Sequence, residues 1–179
     1  MELYEQINRI KSLMLNESDE NLTVLQKYLG DNQDLIKIYT DIENILGDKF
    51  TDDHFKQEIG YSGPLKSLST GILPETLKQF NLMKQEIPDI SIRENSWRDY
   101  NKQKETFLTY AKKYGGTISG GLRQAALPGF SQHHTGKAID VGNYRMLTPD
   151  ILNKYGFVVS YPKQTSFRMA EPWHIYYNK

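Results

Sequence analysis

The chain has 179 residues, 38% of them hydrophobic and 25% charged, which is enough apolar content for a core and excludes wholesale disorder. Formal net charge is +0 and cysteine is absent, so there is no disulfide framework and any metal must be held by His, Asp and Glu. No apolar run approaches the length of a membrane span, and Met1 to Gln6 lacks the basic start and apolar stretch of a secretory signal.

The neutral total conceals a split. Residues 1–70 carry 13 acidic and 7 basic side chains, a net of −6, and residues 71–179 carry 9 and 15, a net of +6. Two readings fit: solvated surfaces of opposite sign, or a basic catalytic part drawn to an anionic polymer.

In chain order, residues 1–47 read as helices. Leu3, Ile7, Ile10 and Met14 recur at helical spacing, then Leu22, Leu25 and Leu29, then Leu35, Ile38, Ile42 and Ile45. Turns are expected at Asn16 to Asp19 and Gly30 to Asn32, with Gly30 and Gly47 as terminating glycines. His54 reads as an exposed residue near a helix start. Residues 60–73 are rich in Gly and Ser and read as a boundary loop. Helices follow at 74–86 and 99–114, with a short strand at 89–93 between them. Further strands are expected at 137–141, 157–161 and 173–177. Thr148-Pro149-Asp150 opens one short helix between the strands at 137–141 and 157–161. The fold class is α+β, a small antiparallel sheet with flanking helices, preceded by an all-helical N-terminal region. The expected division is residues 1–70, helical and of unassigned role, and residues 71–179, catalytic.

Chemistry concentrates in two segments, Ser131-Gln132-His133-His134-Thr135-Gly136-Lys137-Ala138-Ile139-Asp140 and Glu171-Pro172-Trp173-His174. They hold three of the four histidines in the chain. A hydrolytic zinc site needs three protein ligands, an open position for water and a general base that does not bind the ion. His133, Asp140 and His174 supply the ligand set, and Glu171 the base. His133 and Asp140 are seven apart, too far to share a helical face as an HExxH pair does. A turn at Gly136 followed by a strand brings them to one ion, with Ala138 expected to point away from it. His134 is a weaker competitor as ligand.

These residues resemble the VanY-type D-alanyl-D-alanine carboxypeptidase family, zinc peptidases that trim peptidoglycan stem peptides. The family pattern Ser-x-His-x-x-Gly-x-Ala-x-Asp is met by Ser131, His133, Gly136, Ala138 and Asp140. The pattern Glu-x-Trp-His is met by Glu171, Trp173 and His174. An upstream element is met by Arg98, Tyr100 and Gln103, with Trp97 in place of a tyrosine. The resemblance spans about residues 74–179. It implies a VanY/hedgehog-like zinc peptidase fold, one Zn²⁺ ion, Glu171 as catalytic base, and Arg98 paired with the substrate's terminal carboxylate. Gln103 and Ser131 would bond the same end of the peptide. Arg123 competes with Arg98 but falls in a variable segment of the family pattern.

The implied activity is removal of the terminal D-Ala from stem peptides ending in D-Ala-D-Ala. The same superfamily includes L-alanyl-D-glutamate endopeptidases, among them phage endolysins, and a non-catalytic wall-binding or virion module is a third reading. The expected partner is the peptidoglycan stem peptide. No nucleic acid is expected, because the basic excess forms no Lys/Arg run, and no integral membrane segment is expected. With no signal peptide, the expected location is cytoplasmic on synthesis, with action at the wall after phage release or another export route.

Overall fold

The computed structural model describes residues 22–165 and 168–179. The expected helix through Leu3, Ile7, Ile10 and Met14, and the turn at Asn16 to Asp19, lie outside them. The described helices are α1 (Val24–Leu29), α2 (Gln33–Leu46), α3 (Asp52–Ser62), α4 (Pro74–Glu86), α5 (Tyr100–Lys113), α6 (Ile118–Leu122) and α7 (Pro149–Lys154). The strands are β1 (Ser91–Ile92), β2 (Ala138–Gly142), β3 (Phe157–Tyr161) and β4 (Glu171–Tyr177). They form one antiparallel sheet in the order β1-β2-β4-β3. This is the α+β arrangement anticipated.

Two apolar cores build the molecule. The first is helical. Leu35, Tyr39 and Ile42 of α2 and Phe55 of α3 pack with Phe107 and Ala111 of α5, Ile118 and Leu122 of α6, and Phe130. Phe55 is stacked on Tyr28 at 4.5 Å and on Tyr39 at 5.5 Å. The buried Tyr39 hydroxyl donates to Pro128 O at 2.8 Å, so its burial leaves that group satisfied. Helix ends are capped locally. Thr23 and Gln26 cap each other reciprocally, and the Asn32 side chain accepts from Leu35 N.

α3 and α6 are not fully anticipated. In α3 the sequence shows only the start. His54 sits at its third position, accepts from Thr51 N at 3.2 Å and meets Ser119 Oγ at 3.0 Å, so it is half-buried rather than exposed. In α6, Gly120 and Gly121 lower the helical signal. Gly121 is required by packing, since a Cβ there would overlap the Phe107 ring.

The second core lies under the sheet. Phe80, Met83 and Ile87 from α4 and its end meet Ile139, Val141, Phe157 and Ile175. Strand alternation therefore puts Ile139 and Val141 on the core face and Ala138 on the face of Asp140. The expectation that Ala138 points away from the Asp140 side is corrected: the two are an even number of residues apart. Ala138 is nonetheless fully buried.

The glycine- and serine-rich stretch after α3 is stitched to the histidine segment. Lys66 N donates to Gly129 O at 2.7 Å, Ser69 N to His134 O at 2.8 Å and Leu73 N to Gly136 O at 2.9 Å. These bonds anchor the loop beneath the residues singled out for chemistry.

Candidate active site

Ser131 opens a single 3₁₀ turn, Gln132–Thr135, its Oγ accepting from His133 N at 3.3 Å. Gly136 ends that turn at φ +68°, where a Cβ would also run into Gly71 O. The chain then enters β2, which carries Asp140. β4 pairs with β2 in a register that sets Asp140 opposite His174. Cross-strand partners lie close enough to share one ion. The ligand atoms of His133, Asp140 and His174 all lie within 4.8 Å of one another. Three residues spread over 42 positions are thus brought together by one turn and one strand pair.

The second layer fixes the first. Ser96 O is 2.6 Å from His133 Nδ1, an acceptor that places the proton on Nδ1 and leaves the Nε2 lone pair inward. Ser96 Oγ accepts from Asp140 N at 3.0 Å and donates to Arg93 O at 2.8 Å. His133 Nε2 lies 3.5 Å from Asp140 Oδ2. Asp140 Oδ1 and His174 Nδ1 are buried without a hydrogen-bond partner among the described residues. Buried polar atoms left so cost about 1–3 kcal/mol each, a cost that a divalent cation would relieve. Burial, then the Arg98 charge, holds His133 well below the usual histidine range, and burial first pushes His174 down to about 3. Both imidazoles are therefore neutral at pH 7, the form that ligates metal. Burial raises Asp140, opposed by Arg98 and Arg93. The donor set, two neutral imidazoles and one carboxylate with no thiolate, fits zinc.

His134 differs from its neighbour. Its Nε2 accepts from Gly129 N at 3.0 Å and its Nδ1 faces Arg98 O at 2.6 Å. Both ring nitrogens are spent on backbone, so His134 braces the segment rather than offering a ligand atom.

Glu171, at the start of β4, lines a cleft with Arg98, Gln103, Ser131, Arg168 and His174. Burial pushes its carboxyl up to about 7, with the Arg168 charge opposing. Arg98 Nη2 lies 3.8 Å from Asp140 Oδ2, and its buried Nε has no hydrogen-bond partner among the described residues. Gln103 Nε2 donates to Ala126 O at 2.7 Å, which leaves Oε1 as a buried acceptor with no partner among the described residues. The Ser131 hydroxyl, already accepting from His133 N, keeps its proton to donate. Of the residues singled out from the sequence, Arg98, Gln103, Ser131, His133, Glu171 and His174 line this cleft, and Asp140 lies beside it against Arg98 and His133. Arg123 instead lies over the Tyr114 ring, 5.1 Å from its centroid.

Sequence reasoning missed Ser96 and Arg168. Ser96 acts partly through its backbone carbonyl, which has no side-chain signature. Arg168 belongs to no motif, and only its position three residues before Glu171 could have drawn notice.

The fold and the cluster define the class first: a small α+β domain with a His-Asp-His metal-type site beside a buried glutamate. A family model described as "VanY: D-alanyl-D-alanine carboxypeptidase" matches residues 66–150. No curated protein matches the chain. Among solved structures, the LdcB LD-carboxypeptidase is 28% identical over 61% of this chain and 67% of its own, with a TM-score of 0.50. A mutant of the D,D-pentapeptidase VanY from a VanB-type resistance cassette, in complex with Zn(II), is 25% identical over 64% and 78%, with a TM-score of 0.50. VanYB in complex with D-alanine-D-alanine is 22% identical over 64% and 77%, with a TM-score of 0.52, and shows likeness of fold. The resemblance carried by the motifs is thereby shown: the chain has the VanY peptidase fold and the VanY family match. That match ends before Glu171 and His174, which the sheet brings to the site by β2–β4 pairing.

Proposed function

We propose that the chain is a zinc-dependent peptidase of peptidoglycan stem peptides that removes the terminal D-Ala from D-Ala-D-Ala ends. The observation that carries this is the convergence of His133, Asp140 and His174 within 4.8 Å at a cleft that Glu171 and Arg98 also line. The zinc in the VanY neighbour supports the choice of metal. When bound by these three residues, zinc supplies Lewis acidity to the scissile carbonyl and to an attacking water.

The chain's own residues supply the rest. Glu171 takes the proton from the attacking water on a carboxylate oxygen and passes it to the leaving nitrogen. Burial, which lifts it to about 7 before any metal is bound, makes it a stronger base than an exposed carboxylate. Arg98 Nη2 lies 3.8 Å from Asp140 Oδ2; a metal held by Asp140 would share that carboxylate, and the guanidinium fork would take a terminal carboxylate by parallel hydrogen bonds. Ser131 Oγ–H donates to the same end. Gln103 Oε1, an acceptor, suits a peptide N–H better than a carboxylate.

The 28% identity to an LD-carboxypeptidase favours a second reading, in which the removed D-Ala follows an L-configured centre. One experiment separates these readings: mass spectrometry of a pentapeptide ending in D-Ala-D-Ala and of the tetrapeptide with one D-Ala, each with zinc-loaded protein. Glu171→Ala is the control. Loss of one alanine from the pentapeptide by the wild type alone supports the D,D reading. Loss from the tetrapeptide instead replaces it with the L,D reading. Cleavage after L-Ala moves the chain to the endopeptidase branch. Wall binding without any product leaves the wall-binding module.

A further inference from the structure

Arg168 is 2% exposed and lines the cleft beside Glu171 and His174. Its grip comes from α3, over 100 residues earlier. Nη1 donates to Ser62 Oγ at 3.1 Å, and Nη2 lies 3.7 Å from Glu58 Oε2. The guanidinium sits over the Tyr61 ring at 4.6 Å and reaches the Tyr161 ring at 6.0 Å. Tyr61 is in turn stacked on Tyr161 at 4.7 Å, and Tyr161 packs on the His174 ring at 4.9 Å. One face of α3 thus touches the site by two routes, a charge route through Arg168 and a ring route through Tyr161.

Glu58 is fully buried, and among the described residues neither of its oxygens, nor Arg168 Nε or Nη2, has a hydrogen-bond partner. Such a pair is a poor source of stability, since desolvating two ions offsets most of their attraction. Stability does not explain why two ions are sunk here. Position does: Arg168 stands three residues before Glu171, in the segment that leads into β4, and its charge favours the ionised form of that carboxyl. α3 also lies outside the residues the VanY family model matches.

We infer that Arg168, clamped by Glu58 and Ser62 of α3, is a positioning residue that fixes the Glu171-bearing start of β4, so that the N-terminal helices build the catalytic cleft. The inference rests on the peptidase reading only for its kinetic consequence. Its structural half stands alone.

The test uses the full chain, zinc-loaded, as Arg168→Met, Glu58→Leu and the double variant. Each single change strands a buried charge and lowers the melting temperature. The double change removes both ions and returns it to near the wild-type value. The decisive readouts are amide exchange over residues 168–174 and the split between kcat and KM. The inference expects the double variant to exchange faster over that segment despite restored stability. It also expects kcat at least about tenfold down with KM within about threefold. Wild-type protection and wild-type kcat in the double variant would overturn it. A wild type that cleaves nothing sinks the peptidase reading, and the exchange data still decide the role of the clamp.

Discussion

The helical core and the sheet core meet at the cleft, and they bring different chemistry to it. From the sheet come Asp140, His174 and Glu171, on strands whose spacing is fixed by ladder hydrogen bonds. From the helical side come Arg98, just before the Asp99 cap of α5, Gln103 within α5, and the α3 clamp on Arg168. His133 sits between, in a 3₁₀ turn that follows Phe130 of the helical core and precedes β2. The difference teaches a division of labour. Strand pairing gives the sub-ångström constancy that a ligand set and a base require. The helix side presents longer side chains, which suit the grip on a substrate end.

The sharpest break of that comparison is at Glu171. In Glu171→Gln the sheet geometry and metal-type ligands remain while the base is lost. Turnover is expected to fall about 100-fold to 10,000-fold, with zinc affinity within a few-fold of wild type. Equal loss of zinc and turnover would show that Glu171 ligates rather than accepts a proton, and would erase the distinction between base and ligands.

Next in size are truncations of the two cores. Phe55 and Phe157 are both fully buried, one in each. Phe55→Ala and Phe157→Ala are each expected to cost about 3–5 kcal/mol. If the cleft belongs to both cores, calorimetry will give one cooperative transition in each variant, shifted upward by zinc through mass action. Two transitions, only one of them zinc-sensitive, would mean that the helical core is a separate unit and that the seam is incidental.

A smaller effect tests the helical side. Arg98→Gln removes the fork and its charge while Glu171 stays in place. The expected result is a KM rise equivalent to about 1.5–3 kcal/mol, with kcat changed less. A terminal amide in place of the carboxylate should produce the same rise in wild type and none in the variant. A kcat-only defect in Arg98→Gln would assign this arginine to the sheet's chemistry.

Much of this arrangement is legible in the sequence. The periodicity of Leu35, Ile38 and Ile42 gives α2, Thr148-Pro149 gives α7, and the aromatic runs give β3 and β4. The two histidine segments mark the metal-type cluster because two histidines and an aspartate at set positions, with a glutamate beside them, rarely coincide by chance. What is illegible is long-range. The helix through Glu58 and Tyr61 has a weak apolar stripe and a glycine inside it, so its face toward the cleft has no periodic signature. A glutamate there reads as a solvated surface charge, yet it is fully buried, because its partner arrives from more than 100 residues away. Ser96 is hidden for a related reason: the atom that orients His133 is a carbonyl oxygen common to every residue.

The smallest prediction concerns protons. Burial raises the Glu171 carboxyl to about 7 in the metal-free protein, against an ordinary value of 4.5. A raised folded-state value means that the folded form binds the proton more tightly than the unfolded chain. This group therefore favours folding below about pH 4.5, and that contribution is lost as pH rises through 7. Glu171→Gln is neutral throughout, so the metal-free variant should gain in melting temperature relative to metal-free wild type between pH 4.5 and 7. A nearby divalent cation favours the carboxylate. Zinc should thus shrink the pH dependence of that difference and move the acid limb of kcat/KM below 7. A difference in melting temperature that is flat with pH in the metal-free pair would show that Glu171 is solvated rather than buried at the seam. The sheet side would then offer no poised base, and the division of labour between the two cores would reduce to ligands on one side and substrate contacts on the other.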